Sequence, residues 1–274
     1  MTRSLRYVQP PHRFAAWRLA ACLLASLIAS GARADVLDYD DRESPTLEER
    51  AALAGLGVLF PDGEAGSTAF LVGGCEVLVT AKHVVFDLND RPRAGRYYYY
   101  PRNGPDRIEV PLTGSIHGRG DDMAEDWIVL RLSAPVPGCR PMPVKALGDD
   151  ELLALSGQFA VAGFQADRDG ALMVSRDCGI EPACQQQTRG ASVFTHTCDT
   201  FEGTSGAPLF VELPQGPVAI GIQLAGAAFE PVDSCDRSNL ALRMSDAFYE
   251  AISDMTGGAP LDTVWRRRPS DVTQ

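Results

Sequence analysis

The sequence has few of the residues that build metal sites or bind nucleic acid. Only four histidines occur among its 274 residues, and no Cys-x-x-Cys pair is present. Structural zinc sites usually contain such pairs, so we expect no metal and no cofactor. Acidic residues outnumber basic ones by 36 to 25, for a net charge of −11. A chain this acidic is a poor ligand for nucleic acid, and we expect no such partner.

Long apolar runs are also scarce. The main one, residues 19–29, is shorter than the roughly 20 residues that a membrane span needs. It follows an arginine-bearing segment and precedes the small-x-small site Ala-Arg-Ala at 32–34. This order is typical of a secretory signal peptide, which we assign to residues 1–34. We therefore expect a secreted or periplasmic protein with no membrane anchor.

The cysteine count agrees with export. Of seven cysteines, Cys22 would leave with the signal peptide. The six that remain are Cys75, Cys139, Cys178, Cys184, Cys198 and Cys235. An even number in an exported protein indicates three disulfides, although spacing alone does not choose among the possible pairings.

The rest of the chain predicts an all-β architecture. Residues 35–53 begin with several acids and are interpreted as an exposed N-terminal arm or a short pro-segment. Short apolar runs separated by Gly, Pro, Asp and Asn then predict many short strands, a pattern typical of sandwiches and barrels. The first group of strands is 55–60, 68–72, 76–80, 96–100, 107–112 and 127–132, and the second is 159–163, 171–176, 192–196, 208–211, 218–224 and 239–243. One helix is predicted over 245–255, with Ser245 as its N-cap, and residues 257–274 form a C-terminal tail.

Three segments carry the candidate chemistry. His83 lies in Thr-Ala-Lys-His-Val-Val, Asp126 precedes the apolar run Trp-Ile-Val-Leu, and Ser205 lies in Glu-Gly-Thr-Ser-Gly-Ala-Pro. Asp126 is preferred over Asp122, the runner-up, because a carboxylate at the edge of a buried strand is shielded from water. The serine motif is not the Gly-x-Ser-x-Gly of α/β-hydrolases, since its second glycine directly follows the serine.

These residue types suit nucleophilic acyl transfer. A serine hydroxyl attacks well only when a base takes its proton, and an imidazole with an unperturbed pKa of about 6.5 does this near neutral pH. A buried carboxylate orients the ring and stabilises the imidazolium. Backbone N–H groups stabilise the oxyanion, and the candidates here are those of Gly203 and Ser205.

Together the three segments resemble the trypsin-like serine peptidases, especially the bacterial branch that includes the glutamyl endopeptidases, over residues 54–256. The resemblance implies two six-stranded antiparallel β-barrels of the chymotrypsin type, with a boundary near 135–146 and a C-terminal helix. It also implies a disulfide between Cys178 and Cys198. We further expect a monomer that acts on polypeptides.

The primary pocket admits two interpretations. Asp199 occupies the position at which trypsins carry the acid that selects Arg or Lys. Glutamyl endopeptidases also show Asp-Thr here, but they use a histidine where this chain has Gln223. Asp199 therefore either faces a cationic substrate, which we slightly favour, or turns away and leaves Thr200 and Gln223 to line a neutral pocket. Residues 224–226, including Leu224 and Gly226, are expected to pair with the substrate backbone.

The favoured function is a secreted serine endopeptidase that works through an acyl-enzyme. Two other hypotheses remain: a non-catalytic binding protein on the same fold, and an esterase with the same triad. Animal relatives carry an acid immediately before the serine, and this acid pairs with a newly formed N-terminus. Thr204 stands there in this chain, so that activation is not expected. Removal of residues 35–53 for activation is left open.

Overall fold

The computed structural model describes residues 36–37, 39–101, 107–120, 122–226 and 238–257. The predicted signal peptide, nearly all of the predicted tail and Cys235 lie outside these residues. Within them, no helix is both long enough and apolar enough to cross a membrane.

The first half of the chain forms one antiparallel sheet. Its strands are β1 (Leu56–Pro61), β2 (Ser67–Leu71), β3 (Val77–Thr80), β4 (Tyr97–Pro101), β5 (Ile108–Glu109), β6 (Ile116–His117) and β7 (Ile128–Arg131). Their order is β5-β4-β1-β2-β3-β7-β6. The sheet has seven strands where six were predicted. The additional one, β6, has only two residues, which is too short for an alternating pattern to be recognised in the sequence.

The second half forms a six-stranded antiparallel sheet, as predicted. Its strands are β8 (Phe159–Gln165), β9 (Ala171–Cys178), β10 (Val193–His196), β11 (Pro208–Leu213), β12 (Gly216–Gly226) and β13 (Asn239–Arg243). They are arranged in the order β10-β13-β12-β11-β8-β9. A register shift in the pairing of β12 with β13 lies between Gln223 and Ala225.

Helices are short except at the C-terminal end. They are α1 (Leu47–Ala52), α2 (Asp149–Ala154), α3 (Gln185–Thr188) and α4 (Asp246–Met255). The last is the predicted helix, and the Ser245 hydroxyl caps it by accepting from Phe248 N. Phe248 stacks on Trp127 with ring centroids 5.0 Å apart, so α4 packs on the first sheet beside the start of β7.

The pairing of β3 with β7 brings two candidate residues together. Both strands are apolar and buried, and Thr80 lies opposite Ile128 in the antiparallel register. His83 follows the end of β3 and Asp126 precedes the start of β7. Antiparallel partners place these two ends at the same edge of the sheet.

Disulfides bind the loops to the sheets. Cys75 and Cys139 are joined, which ties the start of the β3 hairpin to the segment between the two sheets. Cys178 and Cys198 are also joined, and this is the pair that the family resemblance implied. It links the end of β9 to the segment ahead of Ser205. Cys184 is disulfide-bonded as well.

The N-terminal arm is partly buried, although it was predicted to be exposed. Glu43 and Val174 of β9 exchange two backbone hydrogen bonds, each of 2.9 Å. The Arg42 side chain is only 1% exposed. Thr46 and Glu49 then form a capping box that begins α1.

Candidate active site

His83 and Asp126 are joined by two hydrogen bonds. His83 lies in a single 3₁₀ turn, Lys82–Val84, and Asp126 directly follows another, Met123–Glu125. Asp126 Oδ1 accepts the His83 backbone N–H at 2.8 Å, and Oδ2 lies 2.6 Å from His83 Nδ1. The carboxylate therefore fixes both the backbone and the ring of the histidine.

Asp126 is held in its ionised form. Burial by itself raises its pKa, but the charge of His83 and the two hydrogen bonds from that residue outweigh burial, so the pKa is below its ordinary value. An ionised Asp126 accepts from Nδ1–H and leaves Nε2 as the basic nitrogen of the ring. The rival carboxylate, Asp122, accepts from Ala124 N at 2.9 Å and caps its own 3₁₀ turn.

Ser205 lies in a tight turn packed against the first sheet. Gly206 follows it with φ +80°, and a Cβ there would lie 2.0 Å from Thr80 Oγ1. Only glycine fits that position, which explains the Ser-Gly pair. The Ser205 hydroxyl donates to Leu224 O at 3.0 Å, and within the described residues it shares no hydrogen bond with His83. Catalytic hydrogen bonds are often unformed before substrate binds.

Two backbone N–H groups beside the serine are unpaired among the residues that the structure describes. They are those of Gly203 and Ser205, whereas the N–H groups of Thr204, Gly206 and Ala207 all donate to nearby carbonyls. Gly203 has φ +98°, and a Cβ at this position would lie 2.7 Å from Phe164 O. Stabilisation of an oxyanion requires unpaired backbone N–H groups of this kind.

Strands β2 and β8 and the turn after β8 hold the loop that carries these donors. The Gly203 carbonyl accepts from Thr68 N at 2.9 Å and from Thr68 Oγ1 at 2.8 Å. The same hydroxyl accepts from Phe164 N at 2.9 Å. The Glu202 carbonyl accepts from Ala166 N at 2.8 Å. Both peptide units that flank Gly203 are therefore fixed.

Asp199 is turned toward the N-terminal arm. Its carboxylate accepts from Leu37 N at 2.6 Å and from Asp41 N at 3.0 Å, and the residue is 2% exposed. Burial raises its pKa; the two N–H groups oppose this, and the charges of Asp41 and Asp40 add to it. This geometry favours the second of the two interpretations, in which Asp199 does not face the substrate.

A buried polar network lies beside it. Cys198 N donates to His196 Nδ1 at 3.2 Å, so the ring proton is on Nε2, which donates to Gln223 Oε1 at 2.6 Å. Gln223 Nε2 in turn donates to Thr200 Oγ1 at 3.3 Å and to Ala225 O at 3.1 Å. Burial lowers the pKa of His196 to about 4, although its bond to Gln223 opposes the shift. The network is therefore uncharged at neutral pH.

The sequence profile described as "Trypsin-like peptidase domain" matches residues 66–221, which include His83, Asp126 and Ser205. The chain belongs to the trypsin-like peptidase family. No curated protein matches it.

Solved structures agree on the fold of this trypsin-like peptidase. It is similar to a Glu endopeptidase in complex with MPD, at 16% identity and TM-score 0.62, over 81% of this chain and 99% of that one. It is also similar to the thermostable serine protease AL20 from an extremophilic microorganism, at 14% identity and TM-score 0.56, over 76% and 99%. A third similar structure is mouse neuropsin, at 17% identity and TM-score 0.54, over 75% and 96%. These likenesses show a chymotrypsin-like fold.

Sequence reasoning about this trypsin-like peptidase missed three site residues. Thr68 in β2 and Ala166 in the turn after β8 hold the loop that carries Gly203, and His196 bonds to Gln223. Buried polar residues in apolar strands were the one available signal, present at Thr68 and His196. At the position of the animal enzymes' acid, the Thr204 hydroxyl donates to Phe201 O at 2.6 Å, inside its own loop.

Proposed function

We propose that this trypsin-like peptidase is a secreted serine endopeptidase with Ser205 as nucleophile, His83 as base and Asp126 as the orienting acid. The observation that carries the proposal is a His83–Asp126 pair joined by two hydrogen bonds, together with N–H groups at Gly203 and Ser205 that have no partner in the described residues. The signal-peptide pattern and the disulfides support export.

The reaction follows from this arrangement. The Ser205 hydroxyl leaves Leu224 O, and Oγ bonds to the carbonyl carbon of the substrate as His83 Nε2 accepts its proton. The oxyanion is stabilised by the N–H groups of Gly203 and Ser205. His83 then gives the proton to the leaving amine, and the C–N bond breaks to leave an acyl-enzyme. Water, deprotonated by His83, hydrolyses the ester and restores Ser205.

For the primary pocket, we propose a neutral polar wall of Thr200 and Gln223. Support comes from the bonding of Asp199 to the arm and from the uncharged network that holds Gln223. The β12 segment from Leu224 to Gly226 is proposed to pair with the backbone of the substrate.

A fluorophosphonate probe tests the proposal, because it reacts only with an activated serine. The purified mature protein should be labelled and should cleave a peptide library, whereas Ser205→Ala should abolish labelling and remove activity by several orders of magnitude. Ser133→Ala, which changes an exposed serine after β7, is the matched control and should be labelled normally.

Each other outcome rejects part of the proposal. An unlabelled wild-type protein would indicate a non-catalytic binding protein. Labelling without peptide cleavage, but with hydrolysis of small esters, would indicate an esterase. Labelling that survives in Ser205→Ala would show that the wrong serine was assigned.

A further inference from the structure

The N-terminal arm carries a deeply buried cation, Arg42. All three nitrogens of its guanidinium are used. Nε and Nη2 bond to Asp40 at 2.8 and 2.9 Å, and Nη1 and Nη2 bond to Asp167 at 3.1 and 2.7 Å. Nη1 also donates to Gln165 Oε1. Because carboxylates bond to it on both sides, the guanidinium is fixed in position and holds the residues that it contacts, unlike a solvated surface charge.

The segment to which Arg42 bonds also holds the loop that carries the N–H groups of Gly203 and Ser205. Gln165 ends β8, and residues Ala166–Arg168 form the turn that leads to β9. Arg42 therefore contacts the residues immediately before and after Ala166. The Ala166 N–H is the donor that binds the Glu202 carbonyl at 2.8 Å.

That bond sets the direction of one oxyanion-hole donor. The C=O and N–H of a trans peptide point in opposite directions. Because the Glu202 carbonyl points to Ala166, the N–H of Gly203 points the other way, where it has no partner in the described residues. If the Glu202 carbonyl lost its hydrogen bond from Ala166 N–H, the peptide between Glu202 and Gly203 would rotate. The Gly203 N–H would then no longer point toward the oxyanion.

The arm contacts the same loop at two more places. Asp199, where the loop begins, accepts from Leu37 N and Asp41 N. The Arg42 guanidinium lies 5.8 Å from the centroid of the Phe201 ring. The arm is therefore bonded to the loop that precedes Ser205 and to the turn that supports it.

We propose that Arg42 is a positioning residue for the oxyanion hole, and that residues 37–43 are retained in the active enzyme rather than removed as a pro-segment. The proposal rests on the proposed function. Arg42 acts through Gln165 and Asp167 on Ala166, and through Ala166 on the peptide that presents the Gly203 N–H. In the described residues the Arg42 guanidinium contacts none of His83, Asp126 and Ser205, so its action on the reaction is indirect.

The test separates positioning from general stabilisation. Arg42→Met should lower kcat by about 10- to 100-fold, less than or comparable to the loss of one oxyanion donor, with KM changed by less than about 2-fold. Affinity for a peptidyl aldehyde, whose adduct uses the oxyanion hole, should fall by the same factor as kcat. Arg42→Lys keeps the positive charge but not the planar set of N–H donors, so its kcat should lie between those of the wild type and Arg42→Met.

Arg176→Met is the matched control. Arg176 also pairs with the arm, at Glu43 and Glu49, but it does not contact the turn at Ala166. The Arg176→Met variant should have a lower free energy of unfolding, with kcat within about 2-fold of wild type. Equal losses of kcat in Arg42→Met and Arg176→Met, or a wild-type kcat in folded Arg42→Met, would overturn the inference.

A second variant covers a failure of Arg42→Met to fold. Ala166→Pro removes the N–H itself at the first residue of a helical turn, a position that tolerates proline. It should reproduce the kcat loss, and a wild-type kcat would overturn the inference. The intact mass of the fluorophosphonate-labelled protein should include residues 37–43, and a labelled species without them would also overturn it.

Failure of this inference is distinct from failure of the proposed function. An unlabelled wild-type protein rejects both. If the wild type is labelled and cleaves peptides, and Arg42→Met and Ala166→Pro have the same kcat as the wild type, only the role of Arg42 is rejected.

Discussion

The two sheets each contribute an aspartate and a histidine near the candidate site, and they use them in opposite ways. In the first half, Asp126 and His83 bond to each other at 2.6 Å, and the His83 side chain is 38% exposed. In the second half, Asp199 and His196 are 2% and 0% exposed. They bond to other groups: Asp199 to backbone N–H groups of the arm, and His196 to Gln223.

The difference shows why residue type alone does not identify a candidate catalytic pair. Burial raises the pKa of both aspartates, but the charge and hydrogen bonds of His83 bring that of Asp126 below its ordinary value, whereas the pKa of Asp199 stays raised. The role proposed for His83 needs an acceptor at Nδ1, which orients the ring, and open space on the other side of the ring. His83 has both, and His196 is enclosed by protein and held neutral.

The largest expected effect breaks the first pair. Asp126→Asn should lower kcat about 10,000-fold, because an amide opposite Nδ1 favours the wrong tautomer of His83. Steady-state kinetics on a peptide substrate measures it. Asp122→Asn is the control and should stay within a few-fold of the parent. A crippled Asp122→Asn with a mild Asp126→Asn would mean that the carboxylate was misassigned.

An intermediate effect, on the free energy of unfolding, is expected from His196, the buried histidine of the second half. The pKa of His196 is lowered to about 4 when folded, so the unfolded chain takes up this proton first as pH falls below about 6.5. Stability should therefore be lost between pH 6.5 and 4, with about 2 kcal/mol lost from pH 7 to 5.

Urea unfolding in a Ser205→Ala background, which prevents self-cleavage, measures this loss. His196→Gln should remove about 2 kcal/mol of the difference between pH 7 and pH 5. The raised pKa of Asp199 acts in the opposite direction, because the folded state then binds a proton more readily, but it is common to both proteins. An unchanged pH difference in His196→Gln would contradict the prediction.

The smallest effect on activity is expected at Asp199, the buried aspartate of the second half. Asp199→Asn replaces one acceptor with a donor that faces a backbone N–H of the arm, so it should cost about 1 kcal/mol of stability. The preference before the cleaved bond should be unchanged, and kcat should stay within about 3-fold. Library cleavage compares the two proteins, with Asp177→Asn as a control aspartate near the same disulfide. Loss of cleavage after Arg or Lys in Asp199→Asn alone would restore the charged pocket.

Local patterns were sufficient for much of the fold. Short apolar runs bounded by turn residues predicted eleven strands close to their observed ends, and the helical spacing with Ser245 predicted α4. Strand β6 and the helices α1 to α3 were not predicted, because two to six residues carry too little periodicity. The predicted strand over 107–112 is only two residues long, at Ile108–Glu109.

What the sequence by itself determined is the set of chemical groups and their order: a histidine after one apolar strand, an aspartate before another, and a serine between glycines that only a tight turn accommodates. What only the tertiary structure decided is how distant groups are paired. Leu37 and Asp199 are 162 residues apart, and Thr68 and Gly203 are 135 apart. Such bonds involve backbone atoms that every residue has, so no residue pattern marks them, and only the folded chain shows which aspartate is bonded to a histidine and which to the arm.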